Sequence, residues 1–146
     1  MKIEDSYDVI VIGAGPAGST TAKYAAKKGA SVLVVDKHHE IGSPKRCGEG
    51  LGIRAFNELK IPKDQRFLNR EIRGFAVYAP DRKKVEISYS KTMGYVLERK
   101  IFDKFLASEA TRAGADVCAD TLASLVKDTN GRITGIKTTE RNLNPL

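Results

Sequence analysis

The sequence predicts an α/β fold with a parallel three-strand core, an inserted antiparallel hairpin and a C-terminal β-hairpin. Three observations predict it. The first thirty-six residues read as strand, glycine turn, helix and strand: "YDVIVI", "GAGPAG", "STTAKYAAKKG", "SVLVVD". A helical stretch over 99–113 then runs into a short apolar strand, "ADVCA". Between and after these, "IRGFAVYAP" with "KKVEISYS" and "TLASLVKD" with "GRITGIKTT" alternate apolar and polar residues across turn signals. A period of two belongs to strands.

The elements follow in chain order. "YDVIVI", residues 7–12, is apolar almost throughout, as a strand buried on both faces of a parallel sheet would be. Gly13–Gly18 spells G-x-G-x-x-G, with a strand before it and a helix after it. Gly13 allows the tight turn, Gly15 lets a pyrophosphate approach the backbone, and Gly18 lets the helix pack closely on the strand. Ala17 belongs to the same phosphate-facing turn. The helix start offers unpaired N–H groups and partial positive charge to phosphates. Ala22, Ala25 and Ala26 give that helix a small-residue face, and Gly29 stops it. "SVLVVD", residues 31–36, is the second buried strand, and it ends on Asp36, eighteen residues past the last glycine. A carboxylate there accepts hydrogen bonds from a ribose and repels a 2′-phosphate. The pattern is a Rossmann-like βαβ unit for a dinucleotide, and Asp36 does not separate NAD from FAD.

Residues 53–70 read as a short helical or irregular stretch containing Pro62. The two alternating runs around "PDRK" form a hairpin with one face wet and one buried. On the 99–113 helix, Phe102, Phe105, Leu106 and Ala110 share a face, and Gly114 ends it. "ADVCA" supplies the third parallel strand, and "TNG" turns the last hairpin. This gives a dinucleotide-binding βαβ unit with its following loop over 1–52, an inserted segment over 53–94, and a second helix, third strand and hairpin over 95–146. An edge with exposed apolar surface is expected on the third-strand side.

Composition narrows the function. A chain of 146 residues that is 41% hydrophobic can bury a core. Its two cysteines, Cys47 and Cys118, are far apart and have no metal-ligand spacing, so no metal site is expected and a reducing, cytoplasmic setting is favoured. "MKIEDSYDV" has no basic region leading into an apolar stretch, so it does not read as a signal peptide. No apolar run approaches the ~18 residues of a membrane-spanning helix. The net charge is +7, but the cations are interspersed with acids in "ERKIFDKF" and "DRKKVE". That pattern is a solvated surface with some attraction for anionic substrates or lipid headgroups, and no nucleic acid is expected.

"SPKRCGEGL", residues 43–51, sets a thiol beside two cations and a run of glycines. The residues alone allow a metal ligand, a reactive thiolate lowered by Lys45 and Arg46, or backbone that comes close to something flat. Ligand spacing is absent, which leaves the last two beside an inert thiol. Glu49 reads as a proton donor or a solvated carboxylate. His38 and His39, in the loop after the second strand, read as solvent-facing.

"GAGPAGS" resembles the FAD fingerprint of the flavoprotein class that includes aromatic hydroxylases. "EIGSPKRCGEGL" and "GYVLERKIFDKFLASEATRAGADV" are similar to archaeal geranylgeranyl reductases, which saturate the prenyl chains of membrane lipids. Members of that family are several hundred residues long, so the chain corresponds to an N-terminal portion. The resemblance implies FAD as cofactor, a prenylated lipid as substrate, an electron donor it does not specify, and a cytoplasmic location with peripheral contact at an anionic membrane. It lays Cys47, Gly48 and Gly50 along the flavin, with Cys47 and Glu49 as the candidates for chemistry. It puts Arg99 on FAD, a contact to the pyrophosphate that suits guanidinium geometry; the alternative is an i,i+4 pair with Asp103, worth ~0.3–0.5 kcal/mol. It also brings the backbone of Ala123 to the adenine end. The rival readings are a hydroxylase or halogenase of the same class, and a non-catalytic basic surface-binding module.

Overall fold

The computed structural model describes residues 3–44 and 47–140. In chain order the elements are β1 (Val9–Ile12), α1 (Pro16–Ala26), β2 (Val32–Val35), β3 (Gly50–Gly52), α2 (Ile53–Glu58), β4 (Leu68–Ile72), β5 (Gly74–Tyr78), β6 (Lys84–Ser88), β7 (Gly94–Leu97), α3 (Arg99–Arg112), β8 (Asp116–Cys118), β9 (Thr121–Lys127) and β10 (Ile133–Glu140). They divide into two compact units, Met1–Pro44 with Asp103–Leu146, and Lys45–Phe102.

The first unit holds the parallel sheet, in the order β1-β2-β8, with Val9 opposite Val32 and Leu33 opposite Asp116. Asp8 and Ser31 set the first register. The Asp8 carboxylate accepts from the Ser31 amide and hydroxyl, and the Ser31 hydroxyl accepts from the Asp8 amide. Val32 and Val34 pack with Ala22 of α1, Ala110 of α3 and Ala115 in one core. Small side chains at Ala22 and Ala110, both fully buried, let the helices lie close to the sheet. Both helices end in the same way. The Ala30 amide donates to the Ala25 carbonyl and Gly29 to Ala26, while Ala115 donates to Ala110 and Gly114 to Thr111. Gly29 and Gly114 have φ of 89° and 103°. These are Schellman closures, which reverse the chain straight into a strand. The β9–β10 hairpin pairs antiparallel, with a register shift between Ile133 and Gly135.

One strand departs from expectation. β2 is buried on both faces, but on β1 only Val9 and Val11 pack against the core, leaving Ile10 36% and Ile12 55% exposed. Among the described residues β1 and β8 are the two outer strands of this sheet. Apolar side chains are exposed at Ile10 and Ile12 of β1 and also at Leu122, Leu125, Val126 and Ile133 of the β9–β10 hairpin, while β8 is half-buried.

The second unit contains a sheet that the alternation did not predict: β3-β7-β4, antiparallel, with Leu51 opposite Tyr95 and Glu71 opposite Tyr95 from the other side. Phe56 of α2 packs on Tyr95 with the rings tilted by 44° and their centroids 4.7 Å apart, and Phe67 meets Phe102 edge-on at 5.3 Å. The predicted inserted hairpin forms as β5–β6, with Phe75 opposite Ile87 and Val77 opposite Val85. These four residues share its apolar face, yet that face is not buried: they are 51%, 38%, 55% and 61% exposed. The hairpin pairs only with itself among the described residues, so nothing in them covers the face that the sequence pattern marks as inward.

Candidate cofactor-binding site

The glycine turn lies between β1 and α1. The Gly13 amide donates to the Val35 carbonyl at 2.7 Å, which ties the turn to the end of β2, and Gly13 has φ 107°, a conformation that favours glycine. Gly15 is the N-cap of α1, and a Cβ built on it would meet nothing within 4 Å. A Cβ on Gly18 would lie 1.9 Å from the Gly13 carbonyl oxygen. The first turn of α1 has Pro16 at its start, no acidic residue and no side-chain cap. Its Ala17 and Gly18 amides therefore head a helix dipole that no side chain satisfies, which is the local chemistry a phosphate needs. The residues fit a pyrophosphate: open space over Gly15, amides at the helix start, and no acidic residue in the first turn of α1.

Asp36 follows β2 directly. Its Oδ2 accepts from the Ala14 amide at 2.8 Å, and its Oδ1 accepts from the His38 amide at 2.8 Å and lies 2.8 Å from His38 Nδ1. Backbone bonds fix its position. The Asp36 amide donates to the Cys118 carbonyl and the Asp36 carbonyl accepts from Thr121, while Asp120 donates to the His38 carbonyl. Burial pushes the Asp36 carboxyl up, but the His38 and Ala14 amides and the His38 ring outweigh it and hold it below the usual carboxylate range. The folded state therefore binds this proton less readily than the unfolded chain. The stability gained is full above the ordinary carboxylate pKa of about 3.9 and is lost as pH falls through the lower folded value. Asp36→Asn should accordingly be less stable than wild type at pH 7 and show a shallower loss of melting temperature from about pH 4 downward. Equal acid slopes for the two proteins would remove Asp36 from that role.

His38 is thus not a bystander. Its ring faces solvent on one side but is held by Asp36 on the other, with 43% of the side chain exposed against 13% for Asp36. The signal was present in the sequence, because an aspartate at a strand end commonly accepts from the amide two residues on. His39 is 71% exposed, with Nδ1 3.8 Å from Asp120 Oδ2.

The second unit carries Cys47, Gly48, Glu49, Gly50 and Arg99. Cys47, Gly48 and Gly50 are exposed, and the Glu49 amide donates to Cys47 Sγ at 3.4 Å. Lys45 and Arg46, read as depressing the Cys47 pKa, lie outside the described residues. Gly50 begins β3 and is not loop, and Glu49 just before it has φ 62°. Arg99 opens α3, and its amide donates to Glu49 Oε1 at 3.3 Å. A carboxylate at a helix start is stabilised by the helix dipole, so Glu49 anchors α3, a task its place in a glycine run gave no sign of. Ala123 is half-buried in β9 of the first unit, opposite Thr138.

Among the described residues no group of three or more His, Cys, Asp or Glu side chains could hold a metal ion, and no helix is long and apolar enough to cross a membrane. A cleft of about 450 Å³ in the first unit is lined by residues including Tyr7, Ile10, Leu33 and Ile136. None of the residues assigned to the cofactor lines it.

Comparison with known proteins agrees with this geometry. A family model described as FAD dependent oxidoreductase matches residues 8–145. The chain is 46% identical over 142 residues to a digeranylgeranylglycerophospholipid reductase of Thermoplasma acidophilum, covering 94% of this chain and 36% of that protein. It is 45% identical over 127 residues to digeranylgeranylglycerophospholipid reductase 1 of Methanothermobacter thermautotrophicus, covering 84% and 32%. The crystal structure of a geranylgeranyl bacteriochlorophyll reductase-like protein from Thermoplasma acidophilum superposes with a TM-score of 0.84 at 46% identity, over 93% of this chain and 35% of that one. The myxobacterial chondrochloren halogenase, at 22% identity and a TM-score of 0.73, shares the fold. The chain thus spans about a third of the length of the curated relatives it matches. With the glycine turn and the acid after β2 both inside the family match over residues 8–145, the chain belongs to the FAD-dependent oxidoreductase family.

Proposed function

We propose that the chain is the FAD-binding portion of a flavin-dependent reductase that saturates prenyl chains of membrane lipids. The observation that carries this reading is the uncapped α1 start beside Asp36, in a chain 46% identical to a digeranylgeranylglycerophospholipid reductase. The α1 amides and the open backbone at Gly15 take the pyrophosphate, and Asp36 takes the adenosine ribose. Cys47, Gly48, Gly50, Arg99 and Ala123 are further proposed contacts to the cofactor. When bound and reduced, FAD supplies hydride to an alkene carbon. The protein's share is to bind and orient the cofactor and to keep its phosphates neutralised. The acid that protonates the other alkene carbon is not assigned to any of these residues. A lipid substrate brings the protein to a membrane face, and the +7 net charge favours an anionic one.

Calorimetric titration of FAD and of ADP into the wild type and Asp36→Ala tests the binding. The variant should lose about 1–3 kcal/mol with either ligand, the cost of leaving a ribose hydroxyl unpaired. Equal affinity in the two proteins would overturn the ribose assignment. The activity is tested by joining the chain to the remaining part of the Thermoplasma acidophilum relative. Addition of hydrogen to a geranylgeranyl lipid, read by mass spectrometry, supports the reading, and a flavin-loaded protein that leaves the lipid unchanged overturns it.

A further inference from the structure

We propose that the His38 side chain competes with the ribose of a bound adenine nucleotide for the Asp36 carboxylate. It thereby sets how strongly the site distinguishes ribose from deoxyribose. The inference rests on the nucleotide reading above and deepens it.

A carboxylate has about four lone-pair positions. Three are already used at Asp36: one on Oδ2 by the Ala14 amide, and two on Oδ1 by the His38 amide and the His38 ring. A ribose diol brings two hydroxyl donors, and one position is left. Both backbone donors are fixed. Ala14 sits in the glycine turn, whose neighbour Gly13 is bonded to Val35, and the His38 backbone is held by the Asp120 amide while Thr121 holds Asp36. The ring is the only donor of the three that can leave without moving backbone, and nearly half of that side chain is already exposed. For both hydroxyls to reach Asp36, the ring must turn away.

Asp36 faces the ring directly, Lys37 is its exposed chain neighbour, and Asp120 lies at the next ring, His39.

The test is calorimetric binding of ADP and of 2′-deoxy-ADP to the wild-type chain and to His38→Ala, with melting curves to confirm that both are folded. His38→Ala should bind ADP about five- to tenfold more tightly, the worth of one typical hydrogen bond. It should raise the preference for ADP over 2′-deoxy-ADP by a similar factor. Weaker ADP binding by His38→Ala would show that the ring supports Asp36, and an unchanged ribose preference would show that it plays no part; either overturns the proposal and leaves the nucleotide reading standing. Failure of both proteins to bind ADP overturns the nucleotide reading and the proposal with it.

Discussion

Gly18→Ala is expected to destabilise the first unit by about 3 kcal/mol or more, as overpacking against backbone does when nothing flexible can yield. The added methyl would lie 1.9 Å from the Gly13 carbonyl oxygen and 3.1 Å from Val11 Cγ1. The Gly13 oxygen belongs to a turn pinned to β2, so relief requires α1 to lift from the sheet. That would open the core around Ala22 and Val34, both fully buried. ADP binding should fall with stability, because the helix start and the turn would no longer be held together. Gly15→Ala is the contrast within the same turn: its methyl meets nothing within 4 Å, so stability should stay within about 1 kcal/mol. Urea denaturation of both variants decides it. A Gly18→Ala midpoint matching that of Gly15→Ala would mean that close packing at residue 18 is not what holds the turn.

The second large effect is expected at Gly94→Ala, in the second unit. A Cβ there would lie 2.4 Å from the Leu51 carbonyl oxygen, across the β3–β7 pairing of Gly52 with Gly94. We expect a loss of about 2–3 kcal/mol and separation of β3 from β7. β3 continues from Glu49, whose carbonyl accepts from Leu97 and whose carboxylate meets the start of α3. The damage should therefore spread to the segment carrying Cys47. Hydrogen exchange of the amides of Leu97 and Arg99 reads it directly. Protection equal to wild type would show that β3 tolerates the methyl.

The first unit was legible because its signals are local. A strand, a turn with glycines at fixed offsets, and a helix closed by glycine each follow from a few neighbouring residues. Gly29 and Gly114 marked both helix ends. The second unit was not, because its sheet is assembled from non-neighbouring segments. β3 is only "GLG", too short to show alternation, and β7 is "GYVL", which has the same hydrophobicity whether strand or loop. Burial went wrong where it depends on partners rather than on pattern. Ile12 and Val77 look like core residues in sequence, and they are 55% exposed because nothing in the described chain lies over them. At the site, the type and place of Asp36 were readable but its partners were not. The turn that brings the His38 ring to the carboxylate is held by amides more than eighty residues further along the chain.

Asp36 has a consequence for anyone who would redesign cofactor preference. Moving a dinucleotide site from a free ribose to a 2′-phosphorylated one ordinarily begins by removing the acid at this position. Here the same two oxygens also fasten the glycine turn through Ala14 and the next loop through His38. Selectivity and folding draw on one carboxylate, so a swap to a neutral or basic residue would change both together. A redesign that keeps Asp36 and alters its surroundings would leave the scaffold intact. One that replaces it must first give the Ala14 amide another acceptor.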